Sequence, residues 1–106
     1  MKRTQIANWN IDVIDDGTTL LVIPFGELDV HTTPQLTRAL ERCTNAHKVL
    51  IVDVTGLSFV DSTGLGALLG ARDRVGDRLL LAGANPVVDR LLELTSTAGL
   101  FQRSAS

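Results

Sequence analysis

A chain of 106 residues suits one domain, and that length can close a hydrophobic core without staples. Apolar residues make up 44% and charged residues 21%, and the net charge is −2 with the signs interleaved, as in Arg72-Asp73-Arg74 and Asp89-Arg90. There is no basic stripe for nucleic acid and no polybasic or cationic amphipathic segment for a membrane surface. With three Phe, one Trp and no Tyr, the core must be built from Leu, Val, Ile and Ala. Cys43 is alone, which excludes an intrachain disulfide and suits a small core residue. The first residues lack an apolar run of signal-peptide type and no stretch is long enough to span a bilayer, so the cytoplasm is the expected compartment.

A weak first strand is expected from about Ala7 to Ile14. Asp15-Asp16-Gly17 reads as a turn, and Thr18 to Phe25 as the second strand of a hairpin. Pro24 lacks an N–H and favours an edge or a strand terminus. Thr33-Pro34 opens a helix, with Thr33 as the expected cap, and Leu36, Ala39, Leu40 and Cys43 recur along one apolar face. Lys48-Val49-Leu50-Ile51-Val52-Asp53-Val54 is a nearly continuous β-branched run and reads as a central strand buried on both faces. A loop is expected from Thr55 to Asp61. A second helix follows from about Ser62 to Val75, with Leu65, Leu68 and Leu69 on its apolar face. Gly64, Gly66 and Gly70 each cost about 1 kcal/mol against alanine there, which points to close backbone approach or to a partner surface. Arg78 to Ala82 is a further buried strand, and Asn85-Pro86 repeats the cap-plus-proline start for a third helix that Gly99 is placed to end. The order β-β-α-β-α-β-α implies right-handed crossovers and a mixed, largely parallel sheet.

Several catalytic motifs fail on spacing. Gly56-Leu57-Ser58-Phe59-Val60 lacks the second glycine of a nucleophile elbow. Gly64-Leu65-Gly66-Ala67-Leu68-Leu69 lacks the third glycine of a dinucleotide fingerprint, and no lysine follows to make a P-loop. His31 and His47 flank the first helix without a metal-ligand spacing and read as solvated loop or helix-end residues. Asp29, His31 and Ser62 as a hydrolytic triad is a combination that any chain of this size offers. With no acid/base pair or metal set surviving, the chain is not expected to be an enzyme.

Asp61-Ser62-Thr63-Gly64 turns the chain from the carboxyl end of a buried strand into a helix, at the sheet edge where ligands and partners meet such folds. Asp61 or Ser62 serves as an ordinary N-cap on one reading. On the other, free N–H groups and the helix dipole stabilise a phosphate on the hydroxyl, about −1.5 to −2 charges beside Asp61.

The segment Asp53-Val54-Thr55-Gly56-Leu57-Ser58-Phe59-Val60-Asp61-Ser62-Thr63-Gly64-Leu65-Gly66-Ala67-Leu68-Leu69 resembles the signature of the STAS domain family, and within it the bacterial anti-sigma factor antagonists. Gly26-Glu27-Leu28-Asp29 with Thr33-Pro34, and Asn85-Pro86-Val87-Val88 through Gly99-Leu100-Phe101, match in the same order, so the resemblance spans about residues 18 to 101. It implies one STAS domain over 1–106, with helices packed mainly on one face of the sheet. It also implies that an anti-sigma factor acting as a serine kinase phosphorylates Ser62. The unphosphorylated chain would bind that kinase and release the sigma factor, phosphorylation would end binding, and a serine phosphatase would reset it. ATP and magnesium would belong to the kinase, leaving no cofactor for this chain.

The resemblance further implies partner contacts from Asp29, Asp61, Thr63, Gly64, Leu65 and Gly66. Asp29 reads equally as a turn residue, Leu65 equally as core, and Thr63 is the alternative phosphoacceptor. The alternative function is a non-switched STAS scaffold, ligand-sensing or transporter-accessory module. Two features depart from the family pattern. Pro24 falls inside a strand, and the chain stops before the family's usual final strand and helix, which leaves those elements missing or shortened and the last face open to self-association.

Overall fold

The β1–β2 hairpin (Trp9–Asp15 and Thr19–Leu28) is closed by its own aspartates: Asp15 Oδ1 accepts the Gly17 N–H at 2.8 Å, and Asp16 Oδ1 accepts those of Thr18 and Thr19 at 3.0 and 2.8 Å. These bonds hold both carboxyls below the ordinary aspartate range. The structure, a computed structural model, describes residues 8–104, so Ala7, where the first strand was expected to begin, lies outside the described residues. After the hairpin come α1 (Thr33–Leu40), β3 (Val49–Asp53), β4 (Leu57–Val60), α2 (Ser62–Val75), β5 (Leu79–Ala82), α3 (Pro86–Leu94) and β6 (Gln102–Arg103).

The sheet runs β1-β2-β3-β5-β6; β1 pairs antiparallel with β2, and every other pairing is parallel. Each crossover moves to a strand farther from β1, so right-handed connections place all three helices on the same face. That face is sealed by Leu20, Val22, Leu50, Val52 and Leu81, all fully buried, beneath Leu36, Leu68 and Leu92 of the three helices. Each buried leucine stabilises the fold by about 2 kcal/mol.

The sheet corrects several expectations. β3 is not buried on both faces: Leu50 and Val52 are enclosed, whereas Val49, Ile51 and Asp53 on its other side are half-buried. The segment read as a loop contains β4, which joins the same side of β2 as β3 but farther along. Pro24 is neither at an edge nor at a terminus. β2 continues through it to Leu28 because its missing N–H faces the break between β3 and β4. The ladder to β3 ends at Val22 and the ladder to β4 begins at Gly26, whose N–H points to that side and donates to the Gly56 carbonyl. Beside β5 lies a final strand of only two residues, β6.

The helices also shift in detail. α1 stops at Leu40, so Cys43 is buried in the turn beyond it rather than on the helix. His47 is not solvated: it is buried, with Nε2 2.9 Å from Asp15 Oδ1 and the Thr44 N–H donated to its Nδ1 at 3.1 Å. Asn85 caps α3 as expected, but α3 ends at Leu94 and Ser96 takes the positive φ, so Gly99 plays no terminating part.

Candidate functional site

Leu28 and Val60 lie side by side at the ends of parallel strands β2 and β4, and the Asp61 N–H donates to the Leu28 carbonyl at 3.1 Å. The turns that leave these strands therefore emerge together, one leading into α1 and the other into α2. Gly26, just before the end of β2, has φ +105, and a Cβ there would overlap the Asn8 carbonyl oxygen, so only glycine brings the hairpin and this end of β2 together.

At the start of α2, Asp61 is extended (φ −103, ψ −174) and caps the helix. Its Oδ1 accepts the N–H groups of Thr63 and Gly64 at 2.9 and 3.1 Å and the Thr63 hydroxyl at 2.6 Å. The Thr63 hydroxyl bond is the largest influence holding the Asp61 carboxyl below its ordinary value, and the Gly64 and Thr63 N–H groups add to it. Ser62 is thus the first helical residue and not the cap. Its side chain is exposed, and its hydroxyl has no hydrogen-bond partner among the described residues. Thr63 differs: its Oγ1 is committed to Asp61 and lies 3.4 Å from the Thr33 hydroxyl of α1.

The glycines of this helix do different things. Gly64 is buried, and a Cβ there would come within 2.6 Å of Leu28 Cγ, so the close approach expected of this residue is to a side chain of the sheet. Leu65 is 6% exposed and belongs to the core. The structure therefore corrects the expectation that Gly64 and Leu65 present a docking surface. Gly66 is exposed, with no neighbour near the position of a Cβ.

At the start of α1 the Asp29 carboxylate closes the turn ahead of it, and the Thr32 hydroxyl reaches back to the strand. Asp29 Oδ1 accepts the N–H groups of His31 and Thr32 at 2.9 and 3.2 Å, and the Thr32 hydroxyl donates to the Glu27 carbonyl at 2.7 Å while accepting the Asp29 N–H at 3.0 Å. Asp29 is accordingly a turn residue through one carboxylate oxygen. Thr32, not Thr33, is the N-cap, and it makes no side-chain bond into the helix. Sequence reasoning missed Thr32; the Asp29-x-x-Thr32 spacing, which lets two short polar side chains brace one turn, was the available signal.

The family model for the STAS domain matches residues 9–105. An anti-sigma-B factor antagonist of Listeria monocytogenes is 33% identical over 81 residues, covering 73% of this chain and 71% of that protein. An anti-sigma F factor antagonist of Paenibacillus polymyxa is 32% identical over 102 residues, covering 90% and 83%. The crystal structure of an anti-sigma factor antagonist from Mycobacterium paratuberculosis superposes with a TM-score of 0.80 at 23% identity, over 92% of this chain and 86% of that one, and so shares the fold. The mixed, mostly parallel sheet with three helices, the match over nearly the whole chain and these relatives agree: the chain belongs to the STAS domain family.

Proposed function

We propose that this chain is an anti-sigma factor antagonist whose unphosphorylated form binds an anti-sigma factor serine kinase and releases the sigma factor, and that phosphorylation of Ser62 switches binding off. One observation carries the choice of residue: of two adjacent hydroxyls at the start of α2, that of Thr63 is spent on Asp61 and that of Ser62 is exposed and unbonded. Among the described residues no base engages the Ser62 hydroxyl, because the nearest carboxylate in sequence, Asp61, is turned onto Thr63 and Gly64. The kinase supplies the base, ATP and magnesium; this chain is substrate and competitor rather than catalyst.

The switch works by charge. Asp61 already occupies the N–H groups of Thr63 and Gly64, so a phosphate on Ser62 does not find them free, contrary to the simple helix-terminus argument. The added charge of about −1.5 to −2 stands in solvent beside a carboxylate held ionised. It leaves the fold intact and opposes any partner surface matched to the neutral serine. Asp29 on the neighbouring turn, Asp61, Thr63 and exposed Gly66 frame that surface; Gly64 and Leu65 shape it from below. A serine phosphatase resets the switch, and the exchange takes place in the cytoplasm.

The test is incubation with the cognate anti-sigma factor kinase, ATP and magnesium, read by intact mass. The chain gains one phosphate, Thr63→Ala still gains it, and Ser62→Ala does not. Phosphorylation of Ser62→Ala to the wild-type extent refutes the assignment. Ser62→Asp weakens kinase binding, and unchanged affinity refutes the charge mechanism.

A further inference from the structure

We infer that the helix-free face of the sheet is a self-association surface on which a second copy of this chain docks, sheet against sheet. Largely parallel sheets are ordinarily covered on both faces. Here, among the described residues, the helices cover one. On the other, Ile14, Leu21, Ile51 and Leu80 form one transverse row through successive pairings of β1, β2, β3 and β5, ending at Gln102 of β6. Ile23 and Phe25 extend the patch along β2, and Val49 extends it along β3. None of these side chains packs into the buried core, in contrast to Trp9, Ile11 and Val13, which alternate with them on β1 and point to the helices. Ile14 is 55% exposed, Phe25 58% and Phe59 of β4 47%. The Phe25 ring rests over Gly56, where a Cβ would come within 2.8 Å of it.

The shape and size of the patch choose its occupant. Five strands at about 4.8 Å spacing make a row roughly 19 Å wide. A docked helix, about 10 Å across, covers half of that, whereas a second sheet stacked about 10 Å away covers it all. With two half-exposed phenylalanines and six aliphatic side chains, the patch exposes on the order of 500 Å². That approaches the ~800 Å² each partner contributes to a standard interface. Ser62 begins a helix on the opposite face and stays accessible in such a dimer, so this inference stands apart from the proposed switch.

Sedimentation equilibrium of the full chain from about 10 μM to 1 mM tests it. The weight-average mass rises towards twice that of the chain, and Ile14→Glu with Phe25→Glu weakens association at least tenfold. Both side chains are already more than half in water, so far-UV circular dichroism stays unchanged. An amide NMR dilution series of the unaltered chain gives a readout that needs no variant: shifts fall on Leu21, Ile23, Phe25, Ile51 and Leu80. A monomer at every concentration overturns the inference. So does a dimer that the substitutions leave unweakened, or dilution shifts confined to Ser62–Gly66.

Discussion

Two helices enter at the same end of the sheet and are secured in opposite senses. At α1, the Asp29 carboxylate holds the turn, the Thr32 hydroxyl ties it back to β2, and no side chain closes the helix end. At α2, a single carboxylate reaches forward and closes it. The difference teaches where a free hydroxyl comes from. Thr32 is consumed by the strand and Thr63 by the cap. Because Asp61 caps from one residue earlier, Ser62 sits at the helix entrance with its hydroxyl unbonded among the described residues.

Substitutions can break that contrast. Gly64→Val drives a branched side chain into fully buried Leu28 and costs about 3 kcal/mol in urea unfolding, since overpacked cores lose roughly 1–3 kcal/mol. Asp61→Ala removes the forward cap and costs about 1–2 kcal/mol. That loss depends on pH. Asp61 has a lowered folded-state pKa, so its contribution is complete above the ordinary aspartate value of about 4 and fades as pH falls through the lower folded value; the gap between wild type and Asp61→Ala therefore closes only in acid. Thr32→Val loosens the α1 entrance by about 1 kcal/mol and leaves Ser62 phosphorylation unchanged. Ser62→Ala shifts stability by less than about 0.5 kcal/mol, which sharpens the contrast with its complete loss of phosphorylation.

The parts of the fold that were legible in sequence are those with a local signal. Asn85-Pro86 marks the start of α3 through a cap and a fixed φ, and both ends of α2 fall where the pattern put them. β4 was not legible. Leu57 and Val60 are buried with two exposed residues between them, because the pairing with β2 shifts register between Gly26 and Glu27 and breaks the period of two. β3 misled for the opposite reason, since an apolar run cannot say that one of its faces lacks a helix. At the site, Asp61 and Ser62 are equally good caps on paper. Only the backbone path chooses between them, and with it whether Leu65 points inward. His47 looked solvated because its partner Asp15 is 32 residues away.

The placement of Pro24 has a consequence for cooperativity. With no donor there, the ladders from β2 to β3 and from β2 to β4 are separate hydrogen-bonded units, and the strand that feeds Ser62 is the shorter one. What ties that unit to α3 is Asn85: its buried amide donates to the Val54 and Leu57 carbonyls at 2.6 and 2.7 Å while its oxygen caps α3. Local opening of β4 and the entrance to α2 therefore cannot occur alone. It releases the start of α3 as well, so amide exchange would report the Ser62 end of the molecule and the third helix as one opening unit.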